Sequence, residues 1–202
     1  MADTPPVDTG PAAGPAPRAA ARRTRRTLLL LAVICIAPVV ASYVFYYLAP
    51  RGARVNYGTL LPTAPAPALD GTRSDGAPFR LADLRGRWVL LLDVAGGCDA
   101  TCERILYATR QARTMQGREQ ERIVRVLLVP EGAAPDPARL TSHPGLIVAH
   151  AAAAARAALP GAADAIYVID PLGNLVLRYD ADADIKGISR DLTRLLKASG
   201  IG

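Results

Sequence analysis

The sequence predicts an α/β domain, a β-sheet with helices on both faces, carried behind one membrane-spanning helix. Three observations predict it. Two apolar runs without alternation, Trp88 to Val94 and Ile123 to Val129, have the character of buried central strands. Segments of helical periodicity follow them, and strands alternating with helices build a sheet covered on its faces. Ahead of both stands Thr27 to Ala49, about 23 residues without a charge, enough at 1.5 Å per residue to cross a hydrocarbon core of about 30 Å.

With 202 residues, half of them hydrophobic, the chain has room for one domain of roughly 140 to 150 residues besides that anchor. The organisation expected is a disordered basic tail over 1–26, the anchor over 27–49, a proline-stiffened linker over 50–68 and the domain over 69–202. The net charge of +6 and the pI near 9.6 do not signal nucleic acid. Arg18, Arg22, Arg23, Arg25 and Arg26 crowd the N-terminus, and no aromatic residues interleave the other arginines as a stacking platform requires.

Five arginines before the apolar run, against Arg51 and Arg54 close after it, place the N-terminus in the cytoplasm and the domain outside it. Tyr43, Tyr46 and Tyr47 sit at the far end, where amphipathic rings meet the headgroups, and Pro38 is a kink of the sort membrane helices tolerate. The run exceeds the 7 to 15 residues of a signal-peptide core and no A-x-A site follows, so the segment reads as a retained anchor in contact with lipid.

Within the domain, Asp70-Gly71 and Asp75-Gly76 punctuate a hairpin, and Trp88 to Val94 is the first central strand. GGCDATCERIL opens an amphipathic helix of about four turns with Ile105, Leu106, Thr109, Ala112 and Gln116 on one face. Ile123 to Val129 is the second central strand, and Pro130 ends it. The broken loop PEGAAPDPARL leads to a short strand near Leu146 to Val148 and an alanine-rich helix stopped by Pro160-Gly161. Ile166 to Ile169 and Leu175 to Tyr179 flank Asp170-Pro171-Leu172-Gly173-Asn174 as a second hairpin. A last helix starts at its N-cap Asp184 with Ile185, Ile188, Leu192, Leu195 and Leu196 as its apolar stripe.

Cys98 and Cys102 are the candidate functional pair. In a regular helix their Cβ atoms would lie about 5 to 6 Å apart, too far for a disulfide, so a bridge requires Cys98 in the loop before the helix, with Gly96-Gly97 supplying the bend. A cysteine at a helix N-terminus gains thiolate character from the dipole, an advantage expected at Cys98, while Asp99 and Glu103 oppose it by like charge. The same pair offers two soft donors to Cu(I). A loop-to-helix staple without redox work is the structural alternative. His150, at the end of LIVAHAAAA, is a candidate additional metal ligand or else a capping or surface residue, whereas His143 is expected to be solvated. Arg104, Arg110, Arg113 and Arg118 read as a solvated helix face, and Cys35 as a small apolar residue of the anchor.

The strand-to-helix placement of the cysteines, over about residues 60 to 200, resembles the thioredoxin-like fold of redoxin and Sco type. DGAPFRLADLRGRWVLLLDVAG looks like the entry segment of the redoxin and Sco/SenC groups. The spacing Cys98-x-x-x-Cys102 matches Sco proteins, membrane-anchored assembly factors for the copper site of cytochrome c oxidase. YVIDPLGNLVLRYD followed by a helix fits the same family. The resemblance implies handling of Cu(I) by Cys98 and Cys102 in oxidase assembly. Its alternatives are a thiol-disulfide oxidoreductase that keeps the oxidase copper-site cysteines reduced, or a non-catalytic scaffold. It implies copper as the metal, an oxidase subunit or its assembly factors as partner, and a bacterial-type inner membrane with the domain in the periplasm. The chain also departs from the family. Ala162 stands where the Sco histidine ligand is expected, and Asp164 where thioredoxin-type enzymes carry a cis-proline.

Overall fold

The computed structural model describes Gly10, residues 17–48 and residues 56–200. It divides into two units, Met1–Ala53 and Arg54–Gly202. Apart from Gly10, the described residues of the first form the helix α1 (Pro17–Leu48), in which Arg25–Phe45 has a mean hydropathy of 2.7, long and apolar enough to span a bilayer. The expected disordered tail lies outside the described residues up to Pro17 apart from Gly10, and its remainder, 17–26, is helical instead. The run PRAAARRTRR is rich in alanine and arginine, both strong helix formers, and it continues a helix already nucleated by the apolar segment.

The second unit is built on an eight-stranded mixed sheet. Its strands are β1 (Thr59–Pro65), β2 (Asp70–Arg73), β3 (Pro78–Arg80), β4 (Trp88–Asp93), β5 (Ile123–Pro130), β6 (Leu146–Ala151), β7 (Ala165–Ile169) and β8 (Asn174–Asp180). They lie in the order β1-β8-β7-β4-β5-β6-β2-β3, with β4 parallel to β5 and antiparallel to β7. The helices are α2 (Ala100–Thr114), α3 (Pro137–Leu140), α4 (Ala153–Ala157) and α5 (Ile185–Ala198).

The unalternating runs occupy the centre, as their composition demands. β4 is buried at every position, and Leu90, Leu91 and Leu92 are wholly enclosed, each contributing about 1.5–3 kcal/mol by transfer from water. Alternate residues serve opposite faces. Trp88, Leu90, Leu92 and Val94 pack with Cys102, Ile105 and Leu106 of α2 and Ile188, Leu192 and Leu196 of α5. Val89 and Leu91 pack with Leu69, Phe79, Leu81, Leu84 and Leu159. Both long helices therefore share one face. The other is covered by a 3-10 turn (Leu81–Leu84), by the segments that carry Leu69 and Phe79, and by Leu159 just beyond the short α4.

Local chemistry fixes the connections. In the second hairpin, Asp170 Oδ1 accepts from the backbone N–H groups of Leu172 and Asn174 at 2.9 and 2.8 Å, and Gly173 takes a positive φ of 92°. Asp184 caps α5 by accepting from Gly187 N at 3.0 Å, as expected from its position.

One expectation fails in an instructive way. The linker read over 50–68 lies outside the described residues up to position 55, and from Tyr57 onward it belongs to the folded unit. β1 pairs antiparallel with β8, with a register shift between Leu60 and Ala64. Asp191 of α5, only 1 % exposed, accepts from the N–H groups of Tyr57 and Gly58 at 3.1 and 2.9 Å and from Tyr179 Oη at 3.2 Å. An edge strand tolerates Pro62 and Pro65 because only one of its sides must donate to a neighbour. β1 is exposed at six of its seven positions, so it carries no apolar alternation to betray it.

Candidate functional site: the Cys98–Cys102 pair

The β4–α2 junction sets the two sulfurs. β4 ends at Asp93, Val94 N still reaches Leu128 O at 3.2 Å, and the chain then leaves the sheet through Ala95, Gly96 and Gly97, all exposed. α2 begins at Ala100 with Asp99 as N-cap. Its carboxylate accepts from Thr101 N at 2.9 Å and Cys102 N at 3.0 Å, which satisfies two of the helix's orphan donors. These bonds, chiefly that from Cys102, hold the Asp99 carboxyl below the usual carboxylate range.

Cys98 therefore lies in the loop and Cys102 in the first turn, with Cα atoms 5.0 Å apart and a disulfide between them. This is the geometry that a bridge across three residues requires. One detail differs from the sequence reading. The helix-terminal position belongs to Cys102, because Asp99 takes the cap that lies beyond Cys98. The chain bends over residues 95–98, as expected, and Gly96 and Gly97 make that bend without a positive φ, with open space where a Cβ at either would lie. Cys102 is 1 % exposed within the core under α2, whereas Cys98 is half-buried at its edge.

A second loop stands beside this one. Asp93 of β4 pairs in register with Ala165 of β7, so the residues preceding Ala165 meet those following Asp93. Asp164 bridges them, its Oδ1 accepting from Ala95 N at 3.0 Å. Its φ of 59° makes it the one left-handed non-glycine among the described residues, a conformation aspartate visits more readily than most. Tyr167 Oη donates to Pro160 O at 2.8 Å and Arg178 Nη2 to Ala162 O at 3.4 Å, bracing the same loop. Gly161, with φ of 97°, admits the Arg178 guanidinium where a Cβ would come within 2.8 Å of Nε. No cis peptide occurs among the described residues, and the side-chain bond of Asp164 to Ala95 N ties the approach to β7 to the loop after β4.

Beneath both loops lies an ion pair that the sequence reading missed. Asp93 points away from α2, is 4 % exposed, and accepts from Arg156 of α4 through Nε and Nη2, both at 2.8 Å. Arg156 Nη2 also donates to Val94 O. Burial pushes the Asp93 carboxyl up, a shift that the Arg156 charge reduces but does not cancel. The signal was present in outline: Asp93 is the lone charge closing WVLLLD, and Arg156 the lone charge in an alanine-rich helix.

His150 does not join the sulfurs. It lies in β6, opposite Val129 of β5 and Thr72 of β2, two strands from β4 and so roughly 10 Å away at ordinary interstrand spacing. Its Nε2 lies 3.4 Å from Ser74 Oγ, beside the β2–β3 hairpin. Among the described residues no group of three His, Cys, Asp or Glu side chains gathers in a metal-binding arrangement. What the site offers is two sulfurs, one approachable and one enclosed. A cavity of about 420 Å3 lined by Val89, Ile169 and Gly173 sits at the opposite end of the central strands and takes no part.

Comparison with known proteins agrees with this geometry. Apo Sco1 of Thermus thermophilus superposes with a TM-score of 0.57 at 24 % identity, over 71 % of this chain and 99 % of its own. Yeast Sco1 with copper bound gives 0.58 at 16 %, over 69 % and 96 %. A thiol:disulfide interchange protein of Chlorobium tepidum gives 0.51 at 19 %, over 67 % and 98 %. These identities establish a shared Sco-like and thioredoxin-like fold. No curated protein matches the sequence. The family model described as "Transmembrane-like, thioredoxin-like, C-terminal domain" matches residues 88–199, from the start of β4 to the end of α5 and more than half of the chain. With its apolar N-terminal helix and its strand–dithiol–helix core, the chain belongs to that family.

Proposed function

We propose that this protein is a membrane-anchored, Sco-like accessory factor of cytochrome c oxidase assembly whose Cys98–Cys102 dithiol exchanges with the cysteines of its partner, keeping copper-ligating cysteines of an oxidase subunit reduced. The observation that carries the reading is the unequal burial of the two sulfurs, Cys98 at the surface edge and Cys102 enclosed. In the forward step the Cys98 thiolate attacks a sulfur of the partner's disulfide, and the other partner sulfur leaves as a thiolate. Cys102 then attacks Cys98, the mixed disulfide breaks, and the partner departs as a dithiol while Cys98–Cys102 closes. An external dithiol donor must reduce the pair again. The five N-terminal arginines favour a cytoplasmic N-terminus and a periplasmic domain on the bacterial inner membrane, an oxidising compartment in which such upkeep is needed.

The charges around the sulfurs favour the reducing direction. Asp99, ionised as the N-cap whose carboxylate accepts from Cys102 N, sets a negative charge against the thiolate character that the helix N-terminus lends Cys102, which shifts the pair toward the disulfide form. The test uses a Cys102→Ser variant of the full chain with an oxidised two-cysteine peptide from the oxidase copper site. The variant accumulates a mixed disulfide through Cys98, while Cys98→Ser does not. Equal and negligible trapping by both variants would overturn exchange.

A second reading is passage of Cu(I) as cargo through the reduced pair. It is favoured by the donor set among the described residues: two thiolates without a gathered third ligand suit Cu(I), whereas Cu(II) asks for further nitrogen or oxygen donors. Competition for Cu(I) with a chelator separates the readings. Uptake no greater than that of a Cys98→Ser, Cys102→Ser chain removes this one.

A further inference from the structure

Arg125 stands in the middle of β5, flanked by Val124 and Val126, and is 3 % exposed. Every other residue from Ile123 to Val129 is apolar. A guanidinium has five N–H donors. Here Nη1 makes one bond, 3.2 Å to the carbonyl of Leu106 on α2, an oxygen already shared with Thr109 Oγ1 at 3.2 Å. Among the described residues no carboxylate pairs with it. Removing a charge from water without a partner costs several kcal/mol, so a buried arginine in this state calls for an anion from elsewhere.

The groups around Arg125 point the same way. Arg110 and Arg113 follow Leu106 along α2, and their charges add to burial in lowering the Arg125 pKa to about 10. Neither is simply solvated, in contrast to the sequence expectation. Arg110 Nη1 donates to Ser142 O and its guanidinium lies 5.6 Å from the Tyr107 ring centre. Arg113 Nε donates to Ile123 O at 2.9 Å, with Glu121 4.0 Å from its Nη2. From the loop before β6 comes His143, half-buried instead of solvated. Its pKa is lowered first by burial and then by Arg125 and Arg110, with Glu103 opposing. The buried Nδ1 of His143 has no hydrogen-bond partner among the described residues. Glu103 is itself engaged by Arg139 at 2.5 Å.

We propose that the space between α2, β5 and the 141–145 loop is a binding site for a small tetrahedral oxyanion of the phosphate class, with Arg125 as its buried anchor, Arg110 at its rim and His143 Nδ1–H as a further donor. Arginine is suited to this because its planar fork matches the edge of a phosphate, and a bound dianion would offset the charge of Arg125, with which no carboxylate pairs among the described residues. The site lies over β5, apart from the cysteine loop that follows β4, and it does not rest on the dithiol reading. The phosphate is either a free anion or the headgroup of a lipid.

The experiment measures thermal unfolding of the full chain in neutral detergent micelles, in inorganic phosphate against chloride at equal ionic strength and pH. Phosphate raises the midpoint saturably in the wild type. Arg125→Met, which replaces the charge by an apolar chain of similar length, abolishes the saturable rise and unfolds in chloride no earlier than wild type. Arg110→Gln, at the rim, weakens apparent phosphate affinity at least about fivefold, and it decides the matter if Arg125→Met does not fold. Glycerol phosphate as a second probe assigns the source: tighter binding than inorganic phosphate points to a headgroup, weaker binding to a free anion. A phosphate response absent from wild type, or undiminished in both variants, overturns the site.

Discussion

Two loops lie side by side at the C-terminal end of β4, and they are held in opposite ways. The loop from Ala95 to Asp99 is exposed but for the half-buried Cys98, with two glycines in open space, and a covalent bridge ties it to α2. The loop from Pro160 to Asp164 has no covalent tie but is braced on three sides, by Tyr167, by Arg178 and by the Asp164 bond to Ala95. In the Sco resemblance the first loop supplies sulfurs and the second a histidine. Here the second loop carries Ala162 and no histidine, and its hydrogen bonds make it a braced wall. A reachable sulfur loop beside a braced neighbour suits the proposed thiol exchange, and among the described residues no third ligand joins the two sulfurs.

The largest expected effect comes from cutting the support common to both loops. Asp93→Ala leaves the largely buried Arg156 with the Val94 carbonyl but without its counter-charge, at a cost of up to about 3–5 kcal/mol. For a unit of this size that is a fall of roughly 10 °C in the unfolding midpoint, read by calorimetry. A shift within about 2 °C would mean that the pair does not hold the loops. Next in size is the wall itself. Asp164→Ala loses the bond to Ala95 and places alanine in the left-handed region, together about 1–3 kcal/mol. Asp164→Gly recovers about 1 kcal/mol of that, since glycine carries no strain there. If the two variants unfold alike in denaturant, backbone strain at 164 is absent.

The smallest effect belongs to the sulfur loop. Asp99→Asn keeps the cap and removes the charge, so the disulfide becomes more oxidising by up to about 30 mV, a tenfold change in equilibrium constant. The same variant changes the response to acid. Because the Asp99 carboxyl sits below its ordinary value of 3.8, its contribution to folding is present above that value and fades as pH falls through the lowered one. Asp99→Asn therefore flattens the loss of stability on the acid side. An unchanged acid limb, measured by urea unfolding at successive pH values, would show that the cap is not made.

What the sequence revealed follows from which interactions are local. β4, β5, α2, both hairpins and the Asp184 cap were legible because burial at every position, helical spacing and turn residues are written within a few residues of one another. The disulfide was legible as a requirement: a bridge at that spacing forces Cys98 out of the helix. β1 was hidden, since an exposed edge strand with prolines looks like a linker until β8 is placed beside it. The partners of Asp93, Asp164 and Asp191 were hidden for a similar reason. The bonds of Asp93 to Arg156, Asp164 to Ala95 and Asp191 to Tyr57 join residues 63, 69 and 134 positions apart, and only the fold brings them together. The placement of His150 in β6, with β5 between it and β4, was not legible, because a strand end near a crevice does not say which strand neighbours which.

The central claim, that Cys98 and Cys102 work as an exchanging pair and do not merely staple a loop, rests most directly on their reduction potential. The measurement is equilibration of the full chain in defined thiol-disulfide buffers, followed by acid quenching and mass analysis of the trapped thiols. A potential between about −180 and −300 mV, within reach of cellular thiol donors, is the result expected. A potential below about −300 mV, with Cys98 unreactive until the protein unfolds, would make the bridge structural and contradict the account.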